Sequence, residues 1–257
     1  MKTLMLKASP RIQGNTATLA DRFGDGLRSV GHKDITEFRL NDMNLRPCQA
    51  CDQCLKPPYR GCVIEDDFQM IYPVFRDADL VVFAAPIYWW HLCAQLKTFV
   101  DRMHPMLTFD REHCLPTKHL ILITAHIAQD PYGVELAVKM FESISGWAGM
   151  EFDALAFHSE KGPIQEAPEK LEEAYKLGRS FASWSKPELS VPCLLEDRCG
   201  FLFRSPLHAA KHVVMAAGSP HLEWKAKHLS AVHTLQNTDA LVQEVLALIQ
   251  QRDEEHC

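Results

Sequence analysis

A chain of 257 residues has room for one sheet domain and an appendage, and 47% hydrophobic against 23% charged residues is the balance of a globular protein with a sizeable core. The formal net charge of -6, with no long basic run, speaks against nucleic acid as a partner. The longest apolar block, residues 80–90, contains Pro86 and falls short of the ~20 residues that span a bilayer, and the N-terminal apolar run is too short for a signal sequence, so the expectation is a cytoplasmic protein with no membrane partner.

The first apolar run, Leu4-Met5-Leu6, predicts a buried strand that breaks at Ser9-Pro10 into a loop of small and polar residues. Asn15 or Thr16 is placed to cap the helix that follows, with Leu19, Phe23 and Leu27 on one face. A strand, a hydroxyl-rich turn and a helix N-terminus make an anion site, because unpaired N–H groups converge where the helix dipole is positive. The loop lacks the patterns of triphosphate and dinucleotide sites, so a single terminal phosphate suits it. An ordinary strand-to-helix turn with a good cap is the competing reading.

Gly31 predicts the end of this helix, and residues 34–40 alternate as a half-exposed second strand. Residues 41–66 predict a long loop that holds Cys48, Cys51, Cys54 and Cys62 among Pro47, Pro57, Pro58 and Gly61. A helix starts after Asp66-Asp67, and the near-continuous apolar run 79–85 predicts a strand buried on both faces, stopped by Pro86. The loop Ile87-Tyr88-Trp89-Trp90-His91 follows, then a helix over 94–103, a strand over 119–125, a helix over 134–147, a strand within 151–158 and a closing helix over 168–184.

Five alternations of strand and helix predict an α/β, doubly wound five-stranded parallel sheet of order 2-1-3-4-5 in a three-layer sandwich over residues 1–185. Ligands of such sheets bind outside the carboxyl ends of the first and third strands, where the two unusual loops fall. Residues 186–257 show no sheet pattern; helices over 207–217 and 238–251 predict a small helical extension.

These residues resemble a known family. Ser9-Pro10-Arg11 with Gly14-Asn15-Thr16 resembles the phosphate loop of NAD(P)H-dependent FMN reductases. Cys48, Cys51, Cys54 and Cys62, followed by Asp66-Asp67, resemble the compact cysteine motif of iron–sulfur flavoproteins. Pro86-Ile87-Tyr88-Trp89, then Gln95-Leu96-Lys97 and Phe99-Val100-Asp101-Arg102, resemble a third block of the same family. The resemblance implies a flavodoxin-like fold and an FMN-dependent NAD(P)H oxidoreductase. Ser9, Arg11, Gly14, Asn15 and Thr16 match the phosphate positions, and Pro86, Ile87, Tyr88 and Trp89 match the loop against the isoalloxazine. Two departures stand out: Lys7-Ala8 replaces the usual Asn-Gly, and Thr124-Ala125-His126 lacks the glycine often found in the third flavin-side loop. Because the cofactor carries the hydride chemistry, no side chain is assigned as catalytic.

The aromatic loop alternatively packs into a core. For the four cysteines, a [4Fe–4S] cluster is favoured over zinc and over unligated thiols, since three cysteines in one C-x2-C-x2-C run with a fourth nearby suit a cluster better than the paired motifs of structural zinc. Cys93 is read as a packed side chain, and Lys97 and Arg102 as helix-surface or helix-end ion pairs. The alternatives in function are an electron-transfer protein without substrate turnover and a redox-responsive interaction protein. The expected partners are a nicotinamide nucleotide, an unidentified electron acceptor and a second copy of the chain.

Overall fold

The computed structural model describes residues 1–56, 61–105, 118–127, 132–148, 150–159 and 162–185, with residues 195–196 and 202–203. The chain divides into two compact units, Met1–Gly146 with Met150–Glu188, and Trp147–Gly149 with Leu189–Cys257. In the second unit Leu195–Glu196 pairs antiparallel with Leu202–Phe203. The helices expected over 207–217 and 238–251 lie outside the described residues.

The first unit is a parallel sheet. Strands β1 (Thr3–Lys7), β2 (Ile35–Arg39), β3 (Leu80–Tyr88), β5 (His119–His126) and β6 (Glu151–His158) lie in the order β2-β1-β3-β5-β6, and a two-residue antiparallel arm, β4 (His91–Leu92), pairs with β3. Without that arm, the five parallel strands follow the expected 2-1-3-4-5 order. The central strands β1, β3 and β5 are buried over most of their length, while the edge strand β6 exposes half of its residues. That gradient explains why the central strands read as continuous apolar runs.

Alternate residues feed two cores. Met5, Val82, Ile121 and Leu155 face a cluster with Leu19, Phe23 and Leu27 of α1 (Asn15–Ser29). Phe83 instead stacks on Phe141 of α4 (Tyr132–Ala148) at 5.0 Å and meets Phe99 of α3 (Ala94–Asp101) at 6.0 Å. Phe99 in turn touches Phe68 and Phe75 of α2 (Phe68–Asp77). On the first face α1 packs closely on α5 (Pro168–Arg179), and two glycines permit it. A Cβ on Gly26 would lie 2.2 Å from the Tyr175 carbonyl oxygen, and one on Gly178 would lie 2.2 Å from that of Phe23. The expected closing helix is shorter than its pattern, since residues after Arg179 tighten into a 3-10 turn, Ser180–Ser183.

Two expectations are corrected. Pro86 does not stop β3, which continues to Tyr88 and pairs with Ala125 of β5. β1 ends at Lys7, opposite Ala84, so the donor Pro86 lacks has no strand to serve on that side. The Pro86 carbonyl accepts from the Cys93 N–H at 3.2 Å. Neither Asn15 nor Thr16 caps α1: the N-cap is Gly14, without a side-chain hydrogen bond, because the Asn15 Oδ1 accepts from the Ile164 N–H at 3.1 Å. Among the described residues no helix is long and apolar enough to cross a membrane.

Candidate functional site

The loops after β1, β3 and β5 open onto one cleft of about 560 Å3 at the carboxyl edge of the sheet. Ser9, Arg11, Gly14, Asn15 and Thr16 line one end, and Pro86, Ile87 and Tyr88 line another stretch of wall. The first loop is held by its own backbone. The Arg11 N–H donates to the Ser9 hydroxyl at 3.1 Å, and the Gly14 N–H donates to the Arg11 carbonyl at 3.2 Å. A Cβ on Gly14 would meet the Arg11 Cβ at 3.0 Å and the Ser9 Oγ at 3.3 Å, so a side chain there would crowd this turn. The first intrahelical bond of α1 runs from the Thr18 N–H to the Gly14 carbonyl. The N–H groups of Asn15, Thr16 and Ala17 precede it, and with no capping side chain they leave the positive helix end directed at the cleft.

Lys7 takes no part in the cleft wall. It is buried, and its Nζ donates to Asp21 of α1 and, at 2.6 Å, to Glu37 of β2. Burial alone would lower its pKa; the two carboxylates outweigh that and hold it above the ordinary lysine value. The residue that departs from the family pattern is therefore a strut between β1, β2 and α1.

The opposite wall comes from residues the sequence marked weakly or not at all. Ala125, His126 and Ile127 reach the cleft from the end of β5, and Ser159, Pro163 and Gln165 from beyond β6. The Ser159 N–H and hydroxyl both donate to the His126 carbonyl, at 2.8 and 3.0 Å, and the His126 and His158 rings stack at 4.8 Å. The third loop needs no glycine to reach the site, because this stitching to β6 sets its course.

Trp89 does not line this cleft. It sits at the tip of the β3–β4 hairpin, 90% exposed, and with Trp90 bounds a smaller cavity alongside. The strand extension through Pro86 carries the tip beyond the sheet edge.

The four cysteines share a different cavity of about 290 Å3, which Arg102 and His104 also line. Cys48 and Cys51 are exposed, Cys54 and Cys62 partly so. Burial, and then the neighbouring thiols of Cys62, Cys51 and Cys48, push the Cys54 thiol up. No three His, Cys, Asp or Glu side chains among the described residues are grouped to hold a single metal ion. The four thiols border one common cavity.

Arg102 stands at the end of α3 as its C-cap and forms the expected helix-end ion pair, but it is almost fully buried, not at the helix surface. Its guanidinium pairs with Asp66, donates to the Arg46 carbonyl at 3.0 Å and the Ile64 carbonyl at 3.3 Å, reaches the Cys62 Sγ at 3.4 Å, and lies 4.2 Å over the Phe68 ring. Asp66 also accepts the Arg46 and Phe68 N–H groups, and Asp67 accepts the Asn44 N–H at 2.7 Å, so both ends of the cysteine loop are tied together. Burial works to raise the Asp66 carboxyl; the Arg102 guanidinium and the two N–H groups outweigh it and hold the group below the usual carboxylate range. Lys97 does pair with Asp101 on the helix surface, and Cys93 is buried with its Sγ 3.6 Å from the Ala8 carbonyl. Cys114, Cys193, Cys199 and Cys257 lie outside the described residues.

The family model for the flavodoxin-like fold matches residues 1–177. The chain belongs to this flavodoxin-like family. An iron–sulfur flavoprotein of Methanocaldococcus jannaschii is 34% identical over 108 residues, covering 41% of this flavodoxin-like chain and 53% of the relative. A Bacillus subtilis protein proposed to be an NAD(P)H-dependent FMN-containing oxidoreductase is 24% identical over 158 residues, 59% of this chain and 81% of the relative. The chain spans about half the length of the iron–sulfur flavoproteins it matches. Among solved structures, an NAD(P)H:quinone oxidoreductase from Methanothermobacter marburgensis superposes with a TM-score of 0.57 at 20% identity over 73% of this chain and 99% of its own, a likeness of fold.

Proposed function

We propose that this flavodoxin-like protein is an FMN-dependent NAD(P)H oxidoreductase whose cofactor lies in the 560 Å3 cleft. One observation carries the reading: an uncapped helix N-terminus and an apolar strand extension with Tyr88 wall the same cleft. A phosphorylated, planar cofactor needs both. The N–H groups of Asn15, Thr16 and Ala17, with the Ser9 hydroxyl and Arg11, hold a terminal phosphate, and the tight Gly14 turn keeps the backbone close to it. Pro86, Ile87 and Tyr88 form a wall that excludes water from one face of a flat ring. His126 and Ser159 border the opposite side. When bound, FMN supplies hydride acceptance from a nicotinamide and electron release to an acceptor. The matched relatives, an FMN-containing oxidoreductase and iron–sulfur flavoproteins by name, support the same reading.

Cys48, Cys51, Cys54 and Cys62 are the residues that would hold a [4Fe–4S] cluster, with the Arg102 N–H directed at the Cys62 sulfur. Such a group passes single electrons. α3 joins the two sites: Cys93, just before it, touches the β1 loop and Arg102, just after it, touches Cys62, about 13.5 Å apart by nine steps of helical rise.

Anaerobic purification followed by absorbance spectroscopy and iron and sulfide analysis tests the reading. Flavin bands that bleach on adding NADH or NADPH are expected, with about four irons per chain if the cysteines hold the cluster. A protein that takes up no FMN contradicts the proposal; flavin without iron removes the cluster alone.

A further inference from the structure

The buried guanidinium of Arg102 carries more donors than the fold uses. Nη1 serves Asp66 and the Arg46 carbonyl at 3.0 Å, and Nη2 serves the Ile64 carbonyl at 3.3 Å and the Cys62 Sγ at 3.4 Å. Among the described residues Nε has no partner, although the Arg102 side chain is 1% exposed and that of Asp66 0%. A donor left unpaired out of water is costly, so its retention calls for a reason beyond packing. The Phe68 ring, 4.2 Å below, fixes the plane of the guanidinium where it lines the cysteine cavity.

Lys7 shows what a structural buried cation looks like in this fold. Its Nζ meets two carboxylates, Asp21 and Glu37, and it lines neither the sheet-edge cleft nor the cysteine cavity. Arg102 has one carboxylate and turns its other side to a thiol. A matching contact stands at the other end of the motif, where the Ala50 N–H donates to the Cys48 Sγ at 3.5 Å. The backbone there is left-handed at Ala50 and Asp52, with φ of 48° and 54°. Alanine rarely adopts that φ, and strain of this kind persists where a site needs it. The first and the last of the four thiols thus each accept an N–H. The donor to the exposed Cys48 is main chain. The donor to Cys62 is a buried side chain, whose surroundings strengthen it.

We infer that the Arg102–Asp66 pair sets the reduction potential of the cysteine site, Arg102 holding it up through the Cys62 sulfur and Asp66 holding it down; the inference rests on the reading that the four cysteines hold an iron–sulfur cluster. The electron comes from the reduced flavin of the neighbouring cleft. The flavin loses one electron, the iron–sulfur group gains it, and no bond forms or breaks. The added negative charge spreads onto the sulfurs, so an N–H on one of them and a cation close by both favour the reduced form. The Asp66 carboxylate offsets part of that cation. A lysine does not substitute for the arginine, because a single ammonium lacks the planar fork that serves a carboxylate and a sulfur at once. Acting through Cys62, Arg102 is a positioning residue and not a catalytic one.

The test is a redox titration of the full-length, anaerobically purified protein with dithionite and mediator dyes. Electron paramagnetic resonance follows the cluster and absorbance follows the flavin, in wild type, R102K and D66N. R102K keeps a cation for Asp66 and loses the donor to Cys62. Its equilibrium constant for cluster reduction should fall roughly tenfold, about 59 mV for one electron. D66N removes the opposing carboxylate and keeps an acceptor for the Arg46 and Phe68 N–H groups, so its constant should rise by roughly the same factor. Both variants should keep about four irons per chain and the wild-type flavin midpoint. Opposite signs are the signature, since a loosened loop or added water would move both variants the same way. An unmoved cluster potential in R102K, shifts of one sign in both variants, or a flavin midpoint that moves with the cluster overturns the inference. So does a folded R102K without iron, which would make Arg102 a residue of assembly. If D66N does not fold, R102K decides alone. A wild type that binds flavin but no iron after anaerobic reconstitution contradicts the cluster reading, and the inference falls with it; an iron-loaded wild type with an unmoved R102K contradicts the inference alone.

Discussion

The two cavities of this protein are positioned by opposite means. The larger cleft is a product of backbone topology: three parallel strands end together, and a helix start, a strand extension and a stitched β5–β6 margin border the space they leave. The cysteine cavity lies in a loop whose described portion has only short 3-10 turns, and side chains hold it, chiefly the buried Arg102–Asp66 pair. The first kind of site suffers most from backbone displacement. The second depends on a few buried polar contacts. Each variant below separates the two.

The largest effect is expected from Arg102→Ala. It leaves Asp66 buried without its counter-charge, a change that costs about 3 to 5 kcal/mol in comparable pairs. Chemical denaturation should report that loss, and thiol labelling should show Cys54 and Cys62 more reactive. Where the variant still folds, FMN affinity should stay near wild type. Equal stability of variant and wild type would mean the clamp is misassigned.

Gly178→Ala strikes the other region. Its Cβ would meet the Phe23 carbonyl at 2.2 Å, so α1 and α5 must separate. Overpacking of this kind costs roughly 1 to 3 kcal/mol. Because α1 carries the phosphate end of the cleft, FMN affinity should fall with stability, while cysteine reactivity stays unchanged.

Ser9→Ala removes a cleft hydroxyl and the turn contact to the Arg11 N–H. A hydrogen bond to a charged group is worth about 1.5 to 3 kcal/mol, so the FMN Kd should rise roughly ten- to a hundredfold by fluorescence titration, with thermal stability close to wild type.

The smallest effect is on acid stability. The Asp66 carboxyl has a folded pKa below its unfolded value, near 4 for a free Asp. Its stabilisation is therefore complete above that value and lost as pH falls through the folded pKa. Stability against pH should decline on this acid limb, and Asp66→Asn should flatten it. An equally steep acid limb in that variant would assign the titration to other carboxylates.

How far each region could be read from sequence follows from the same contrast. The sheet was legible because buried parallel strands impose continuous apolar runs and the helices between them a 3.6-residue period, both local signals. Ser9, Gly14, Asn15, Ile87 and Tyr88 fall on one cleft because their loops follow the first and third strands. Pro86 misled because its tolerance depends on where β1 ends, which no local pattern records. Asn15 misled because its partner, Ile164, is 149 positions away. The burial of Arg102 was hidden for the same reason, its contacts lying 34 to 56 positions back in the chain. The left-handed Trp89-Trp90 turn runs against residue preference, so only the backbone discloses it.

The central claim is that the α1 N-terminus and the Ser9–Thr16 loop anchor a terminal phosphate in the sheet-edge cleft. Titrating the apoprotein with FMN and with riboflavin, which lacks only the phosphate, tests it most directly. The account predicts FMN binding at least a hundredfold tighter than riboflavin, with the difference shrinking in Ser9→Ala. Equal affinity for the two flavins, or no binding of either, would contradict it.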